Sequence, residues 1–441
     1  MKTPTPTPTR RAVGYLLVAL ALGLMACRFA RLELASFARD EPQFLSAARQ
    51  QLRTGRWLGA NPLYGNMGLR YGPAAFWFYG VVLGIFGDQP RTAILAMGLV
   101  VTLAQLGFVF AAVRLLGDGE DAAFRGALLA WVASSPYQFH WSRLAWDLTS
   151  NAAAFAAAAL LCWRGELRAG RAVALGLALG LGLATHPSLT PLVAAVGLTF
   201  AWERRTASRG ARRSWWIVLA VLAAVNLPYL VFLLRAPVVA RAARQPFALA
   251  ELAELPLEAP RLATPWGLGY FFDGSWPDFL ARWGSGAGAV QALSHAALGG
   301  CTAVAVAGLA LAWRSSDPGR RRLARVGVFA WAGTVVLLAA VGLERHPHYQ
   351  FACAWVPLFG VAAFVSWLRE RSPRAGAAAL AVLLAVAVAQ AALIVEWMRF
   401  VRDQSGTRGP TYGTPLGREV AAMRLICSAP EPRFVLRNET A

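Results

Sequence analysis

The chain has 441 residues, of which 57% are hydrophobic and only 15% are charged. A soluble domain carries about 25% charged residues, so this composition excludes a soluble globular protein and indicates one that spans a membrane. The formal net charge of +20 comes almost wholly from arginines. Because they lie in short runs between apolar segments, they are typical of loops that face the cytoplasm and do not indicate nucleic acid as a partner.

Twelve apolar stretches follow one another along the chain. They lie near residues 12–34, 71–87, 91–115, 122–139, 148–163, 170–185, 187–203, 215–234, 290–313, 326–343, 350–368 and 376–397. About 20 helical residues cross a hydrocarbon core of roughly 30 Å. Several stretches are shorter than that, so length alone does not decide which of them span.

The arginine-rich connections decide the topology. The most basic ones are expected to face the cytoplasm; they lie near residues 164–171, 204–213, 314–325 and 369–374. Counting back from them places residues 35–70 and 88–91 outside, so segment 71–87 cannot cross and is predicted to lie in the outer interface. The predicted fold is therefore an all-α polytopic membrane protein with about 11 transmembrane helices, interfacial helices in the first outer loop and a long outer loop after the seventh span.

The same threading divides the chain into four parts. A transmembrane module, residues 1–234, includes the first outer loop, residues 35–90. The outer loop 235–289 is rich in Pro, Gly and aromatic residues. It is followed by C-terminal transmembrane helices, residues 290–397, and a short outer tail, residues 398–441.

An adjacent acidic pair, Asp40 and Glu41, stands in "ELASFARDEPQFLSAARQ", directly after the first apolar segment. Asp40 occupies the N-cap position of an amphipathic helix with Pro42 in its first turn, which is typical of a solvated helix cap. A partly desolvated carboxylate at a membrane surface is also a stronger base. The local sequence favours neither interpretation over the other.

A second acidic candidate, Asp147, lies in "SRLAWDLTSN". It is expected at the outer mouth of a spanning helix, where a carboxylate costs far less than the about 2.5–3.5 kcal/mol of the bilayer centre. Arg143 precedes it by four residues, which is the spacing of facing residues on one helix. A surface ion pair and a functional site are equally favoured by this spacing.

Two short turns assigned to the outer face, "THPS" and "ERHPHYQ", contain His186, His346 and His348 beside prolines. A lone histidine is more often packed or hydrated than a ligand, and two histidines two residues apart are weak grounds for a metal site. Arg345 with Tyr349 is better placed as an anion clamp, because a guanidinium can donate two hydrogen bonds to one phosphate.

Four features occur in an order that resembles a known family. They are the acidic pair after the first helix, the aromatic helix "YGPAAFWFYGVVLGIFG", "SRLAWD" after the third span, and "LGLATHPSL" before another helix. This order is similar to that of the C-type, polyprenyl-phosphate-dependent glycosyltransferases, which include the protein O-mannosyltransferases and the lipid A aminoarabinose transferases. The resemblance covers residues 10–235 well and the remainder mainly by topology.

The resemblance implies catalytic roles for three carboxyl groups. Asp40 is implied as the base that deprotonates the acceptor hydroxyl, with Glu41 beside it, and Asp147 as the second acidic residue of the site. Arg143, four residues before Asp147, is taken with it as a substrate-binding candidate.

The resemblance also implies residues that hold the substrates. Arg345, His348 and Tyr349 fall where the family often has an Arg-Tyr element near the lipid phosphate, and His186 falls in a turn that reads Lys-Gly-Pro in relatives. Relatives commonly carry Lys-Pro or His-Pro where this chain has Tyr71, Gly72 and Pro73. Arg70, one residue earlier, is the candidate replacement for that cation, with Tyr71 beside it.

The implied reaction is a single displacement with inversion. The acceptor hydroxyl, activated by Asp40, attacks the anomeric carbon of a sugar linked to polyprenyl phosphate, and base catalysis contributes about 10²–10⁴-fold. The departing phosphate needs cations aimed at it, either arginine side chains or a divalent metal. The implied partners are a polyprenyl-phosphate-sugar lipid and a glycolipid, protein or polysaccharide acceptor. The Ala- and Arg-rich composition indicates a bacterial inner membrane, with the site on the periplasmic side.

Two other classes remain as alternatives. A polytopic lipid or sugar-lipid transporter would place charged or Gly/Pro-broken residues near the bilayer midplane, whereas the ionisable residues here cluster at outer mouths. No internal repeat is evident, which also counts against transporters built on inverted repeats. A non-catalytic envelope assembly protein would tolerate loss of Asp40.

The topology can be tested by cysteine labelling. Ala60→Cys in the first outer loop should react with a membrane-impermeant maleimide added outside, and Ser208→Cys should not, because short arginine-rich loops stay inside. Labelling of position 208 from outside, or failure to label position 60, would contradict the threading.

Overall fold

The structure is a computed structural model that describes eleven stretches of the chain. They are residues 8–37, 40–60, 71–117, 121–147, 149–162, 166–204, 208–235, 249–264, 268–341, 347–408 and 412–428. These residues form α-helices and short 3-10 helices joined by turns, and Ser36 and Pro415 form an isolated antiparallel bridge. The predicted all-α class is confirmed for the part of the chain described.

The described residues contain nineteen α-helices, α1 to α19. The first ten are α1 (Pro8–Ala26), α2 (Glu41–Thr54), α3 (Ala74–Phe86), α4 (Pro90–Leu115), α5 (Ala122–Ser134), α6 (Pro136–Trp141), α7 (Thr149–Leu161), α8 (Ala169–Leu183), α9 (Thr190–Glu203) and α10 (Arg209–Arg235). The others are α11 (Leu249–Glu254), α12 (Glu258–Arg261), α13 (Leu268–Phe272), α14 (Trp276–Ala281), α15 (Ala287–Trp313), α16 (Pro318–Val341), α17 (Val356–Arg371), α18 (Pro373–Gln404) and α19 (Leu416–Ser428). Short 3-10 helices include Cys27–Phe29, Leu32–Leu34, Pro187–Leu189 and Pro347–Cys353.

Seven helical segments in the described ranges are long and apolar enough to cross a membrane. They are Ala12–Phe29, Pro90–Leu115, Arg209–Arg235, Gly284–Trp313, Pro318–Ala340, Tyr349–Arg371 and Pro373–Gln404. Each falls on a stretch predicted to span, so the polytopic membrane class is confirmed. The other four predicted spans coincide with α5, α7, α8 and α9, which have only 13 to 15 residues, so the count of eleven stays a prediction.

Two segments predicted to lie outside the membrane have distinct structures. Segment 71–87 forms α3, whose 13 residues extend about 20 Å, less than a bilayer core; its interfacial position stays a prediction. The long loop has more regular structure than its Pro-rich composition suggested, because residues 249–264 and 268–286 contain α11 to α14 and several 3-10 turns. Pro256 and Pro277 stand at helix starts, where a fixed φ and a missing N–H cost little.

The helices pack so that several chain turns meet at one end of the bundle. The main helix–helix contacts include those of α1 with α5, α5 with α18, α4 with α7, α7 with α8, α8 with α10, and α9 with α16. The 3-10 helix 347–353 contacts both α7 and the 3-10 helix 187–189, while α19 contacts the 3-10 helix 32–34. The division into parts at residues 234, 289 and 397 stays a prediction.

A close helix crossing offers a test of the packing. A Cβ atom at Gly308 of α15 would overlap the carbonyl oxygen of Gly360 in α17. Gly308→Ala should therefore push the two helices apart and destabilise the protein by about 1–3 kcal/mol. Gly299→Ala, in the same helix, is the matched control because a Cβ there meets nothing within 4 Å. Thermal unfolding in detergent should show a lower Tm for Gly308→Ala alone; equal Tm values would contradict the crossing.

Candidate active site

The segment between α1 and α2 is anchored by a buried arginine. Arg143 donates hydrogen bonds to the carbonyl oxygens of Arg28 at 3.2 Å, Ala30 at 2.6 Å and Arg31 at 2.6 Å. Arg31 has a positive φ of 52°, which is unfavourable for a side chain with a Cβ. The guanidinium stabilises this turn because it binds the carbonyls that the turn brings together.

This anchoring corrects the expected relation between Arg143 and Asp147. Helix α6 ends at Trp141 and residues 142–147 form turns and bends, so the two side chains do not face each other along one helix. Both are only 3% exposed, so the alternative of a surface ion pair is wrong. The hydrogen bonds of Arg143 within the described residues go to backbone carbonyls, and a substrate-binding role for it stays a prediction.

The acidic pair stands at the start of α2, as its sequence predicts. Asp40 occupies the N-cap position and Pro42 lies in the first turn. The Asp40 side chain makes no capping hydrogen bond, and its backbone is already helical, with φ −93° and ψ −30°. Capping therefore does not explain this carboxylate. Glu41 is buried, with 6% of its surface exposed.

Asp147 brings a second carboxyl group to the same place. Burial, and after it the negative charge of Asp40, raises the pKa of Asp147 well above its usual value. The charge of Asp40 thus acts on Asp147, although 107 positions separate the two residues along the chain. The Tyr79 hydroxyl donates a hydrogen bond of 2.5 Å to the carbonyl of Trp146 and thereby joins α3 to this turn.

His186 faces Asp147 from the turn after α8. Its Nδ1 accepts a hydrogen bond of 3.1 Å from the backbone N–H of Ser188, so in the neutral ring the proton lies on Nε2. Nε2 is 3.8 Å from Oδ2 of Asp147. Burial lowers the pKa of His186 to about 3, so the imidazole is neutral at physiological pH. The other oxygen of Asp147, Oδ1, is buried and has no hydrogen-bond partner among the described residues.

Two tyrosines, Tyr71 and Tyr349, pack against His186. The Tyr71 ring meets His186 edge-on at 4.5 Å, and the Tyr349 ring stacks on it at 5.7 Å. The hydroxyls of Tyr71 and Tyr349 share a hydrogen bond, and burial raises the pKa of Tyr71. A cleft next to them is lined by His186, Pro187, Ser188, Thr190, Leu337, Leu338 and Tyr349. The polar side chains of Tyr71, His186 and Tyr349 thus adjoin an apolar cleft.

The start of α3 approaches the turn after α8 closely. The N–H of Ala74 donates a hydrogen bond of 3.1 Å to the carbonyl of Ala184, which brings the start of α3 against the turn that contains His186. A Cβ at Gly72 would overlap that same carbonyl. Only glycine fits at this approach.

The structure brings together Asp147, Tyr71, His186 and Tyr349, and the charge of Asp40 acts on Asp147. Arg70 and Arg345 lie outside the described residues, and only the backbone of His348 is described, in the 3-10 helix 347–353. Their substrate-binding roles stay predictions, as do the roles proposed for the residues that do meet.

Sequence reasoning missed Tyr79 and Tyr412. Asp147 and Glu41 act on Tyr79 through their charge, but the sequence marks Tyr79 only as one of several aromatic residues in the segment 71–87. Tyr412 contacts the first outer loop from the tail. The available signal was its motif, "TYGTP", an aromatic residue within a turn-forming pattern.

The described residues give no support for a protein-held metal. No group of three or more His, Cys, Asp or Glu side chains suited to hold an ion occurs in the described ranges. The choice between arginines and a divalent metal at the lipid phosphate therefore stays open to experiment.

Comparison with known proteins places this arrangement in a known fold. No family model and no curated protein matches the chain. ArnT from Cupriavidus metallidurans in the apo state matches with a TM-score of 0.51 and 20% identity over 82% of this chain and 61% of its own. The same protein bound to undecaprenyl phosphate matches with a TM-score of 0.52 and 19% identity over 83% of this chain and 62% of its own. The Archaeoglobus fulgidus oligosaccharyltransferase in the apo form matches with a TM-score of 0.53 and 13% identity over 98% of this chain and 62% of its own.

These solved structures confirm the resemblance seen in the motifs at the level of the fold. ArnT and the oligosaccharyltransferase both belong to the C-type glycosyltransferase superfamily, and this chain shares their polytopic helical architecture. It spans 61% and 62% of their lengths.

The neutral, buried His186 predicts a pH dependence of stability. Its pKa is about 3 in the fold and about 6.5 when exposed, so its stabilising contribution is complete above pH 6.5 and declines as the pH falls towards 3. Between pH 5 and 6, unfolding of wild type should take up about one proton more than unfolding of His186→Gln. Denaturant titrations in micelles at several pH values measure this difference.

His295→Gln is the matched control, because it makes the same chemical change at a histidine that is exposed in the fold. If His186→Gln and wild type lose stability equally on acidification, the side chain is not held neutral in the site.

Proposed function

We propose that this chain is a membrane glycosyltransferase that transfers a sugar from a polyprenyl-phosphate-linked donor to an acceptor hydroxyl. The observation that carries the proposal is the buried Asp147, on which the charge of Asp40 acts, within the fold of ArnT and the oligosaccharyltransferase. One of these structures contains undecaprenyl phosphate and another a tethered acceptor peptide, which supports a lipid donor and a separate acceptor.

The two carboxyl groups divide the protonation between them. Two carboxylates in one desolvated site cannot both ionise at low cost. Burial and the charge of Asp40 favour the protonated form of Asp147. This leaves Asp40 as the group that accepts a proton, and Asp147 as a hydrogen-bond donor in the same site. Neutral His186 suits this division, because an imidazolium there would favour the ionised form of Asp147.

The reaction is a single displacement. The acceptor hydroxyl gives its proton to the Asp40 carboxylate while its oxygen forms a bond to the anomeric carbon. The bond from that carbon to the phosphate oxygen breaks, and polyprenyl phosphate leaves with the electron pair. Attack opposite the leaving group inverts the configuration at the anomeric carbon.

The lipid phosphate requires positive charge at the other side of the sugar. Arg345 and Arg70 are proposed for this role from their places in the motifs, and Tyr349 is proposed as a hydroxyl donor. The apolar cleft lined by Leu337 and Leu338 adjoins Tyr349 and suits the first isoprene units. We place the site on the periplasmic side of a bacterial inner membrane because the arginine-rich loops lie at the opposite ends of the helices.

The first experiment is glycolipid and glycoprotein profiling of a deletion strain, which identifies the sugar and the acceptor. Asp40→Asn then tests the base in that strain. The amide keeps the size of the side chain but accepts no proton, so transfer should fall at least about 100-fold while membrane levels and Tm stay near those of wild type.

Asp88→Asn is the matched control. Asp88 is an exposed carboxylate next to α3 that pairs with Arg49 of α2 at 2.5 Å, so the same chemical change should leave transfer unchanged. Near-normal transfer by Asp40→Asn would reject the base and leave Asp40 as a structural residue.

A further inference from the structure

The tail after α18 forms a short antiparallel pairing with the first outer loop. The N–H of Phe37 donates to the carbonyl of Thr414 at 3.0 Å, and the N–H of Leu416 donates to the carbonyl of Ala35 at 2.8 Å. Ser36 and Pro415 lie opposite each other between these bonds. The position suits proline, because the residues of a non-hydrogen-bonded pair need no N–H in the ladder.

Tyr412 stabilises this pairing through two hydrogen bonds to the opposite segment. Its hydroxyl donates a hydrogen bond to the carbonyl of Leu34, and its own carbonyl accepts one of 2.5 Å from the Ser36 hydroxyl. The side chain is 1% exposed, and its ring lies 5.2 Å from that of His140 and 5.6 Å from that of Trp397. The first loop is thus joined to α6 and α18 through one tyrosine.

The tail is itself held at both ends. The N–H of Thr407 donates to the carbonyl of Gly413 at 3.2 Å, which closes the loop after α18. The N–H of Arg408 donates to the Ser275 hydroxyl at 2.8 Å, and its guanidinium pairs with Asp278 at 2.8 Å. Residues 412–416, the tail strap, therefore lie between the long outer loop and the first outer loop.

We propose that the tail strap positions the Asp40–Glu41 pair for sugar transfer, with Tyr412 as its central positioning residue; this role rests on the proposed function. Phe37, the last residue of the pairing, precedes Asp40 by three positions. Arg143 binds the carbonyls of residues 28 to 31, so the strap is the second fixed point of the segment and the one nearer to the carboxylates. A displacement of about 1 Å at a reacting group can cost about 100-fold in rate.

The strap geometry can be tested without any assay of transfer. Opposed residues in a non-hydrogen-bonded antiparallel pair have Cα atoms about 4.5 Å apart, which suits a disulfide. In a background without native cysteines, Ser36→Cys with Pro415→Cys should form an intramolecular disulfide on mild oxidation. Absence of that disulfide would overturn the strap and leave the proposed function untouched.

Transfer assays then test the positioning role. Tyr412→Ala should lower kcat on the order of 10- to 100-fold with KM for the donor within about twofold, and Tyr412→Phe, which keeps the ring, should lose less. The engineered disulfide, oxidised in the Tyr412→Ala chain, should restore most of the lost kcat because it refastens the strap; reduction should abolish the rescue. Met423→Ala, an exposed position on α19, is the control.

The outcomes separate the two claims. Full activity of Tyr412→Ala, or loss that the oxidised disulfide does not rescue, would overturn the positioning role while wild-type transfer upholds the proposed function. No transfer by wild type with the donor identified in the deletion strain would overturn the proposed function and this role with it.

Discussion

The site depends on one buried guanidinium and the three backbone carbonyls that it binds. Arg143 fixes the chain just after α1, where it turns through the left-handed conformation of Arg31 and heads towards Asp40. A buried cation is costly unless its donors are satisfied. Here the N–H groups and the carbonyls satisfy each other, so neither the cation nor the irregular segment is left without hydrogen bonds.

A second buried arginine extends this scaffold into the bundle. Arg28 is fully buried; it donates to Oε1 of Gln105 at 2.6 Å and to the carbonyl of Val132 at 2.8 Å. Val132 is in the last turn of α5, where free carbonyls and the negative end of the helix dipole favour a cation. Gln105 in turn donates to Gln138 at 2.6 Å. The base of the first loop is therefore joined to α4, α5 and α6 by buried polar contacts.

Local sequence patterns predicted what depends on local physics. The apolar stretches predicted the long helices. The Asp40–Glu41–Pro42 order predicted the start of α2, which the structure confirms. The same logic was wrong for Arg143 and Asp147. Their spacing of four suits a helix, but the chain leaves the helical path after Trp141. Arg143 instead binds three backbone carbonyls that are distant in sequence.

The partners of the site could not be predicted from one sequence because they are far apart along the chain. Ser36 and Tyr412 are 376 positions apart, and no periodicity connects a tail residue with the first loop. Burial is likewise a tertiary property: the sequence placed Asp147 at a solvated mouth, whereas packing of α3 and the His186 turn leaves it 3% exposed. That burial favours the protonated form of Asp147, on which the proposed division of roles depends.

The fate of the donor lipid tests the proposed transfer most directly. Membranes of a deletion strain should accumulate a polyprenyl-phosphate-linked sugar, and purified wild-type protein added to them should consume it. The account predicts that one free polyprenyl phosphate appears for every sugar found on the acceptor. Donor that remains chemically intact in the presence of the protein and only changes its side of the membrane would contradict the account and identify a transporter.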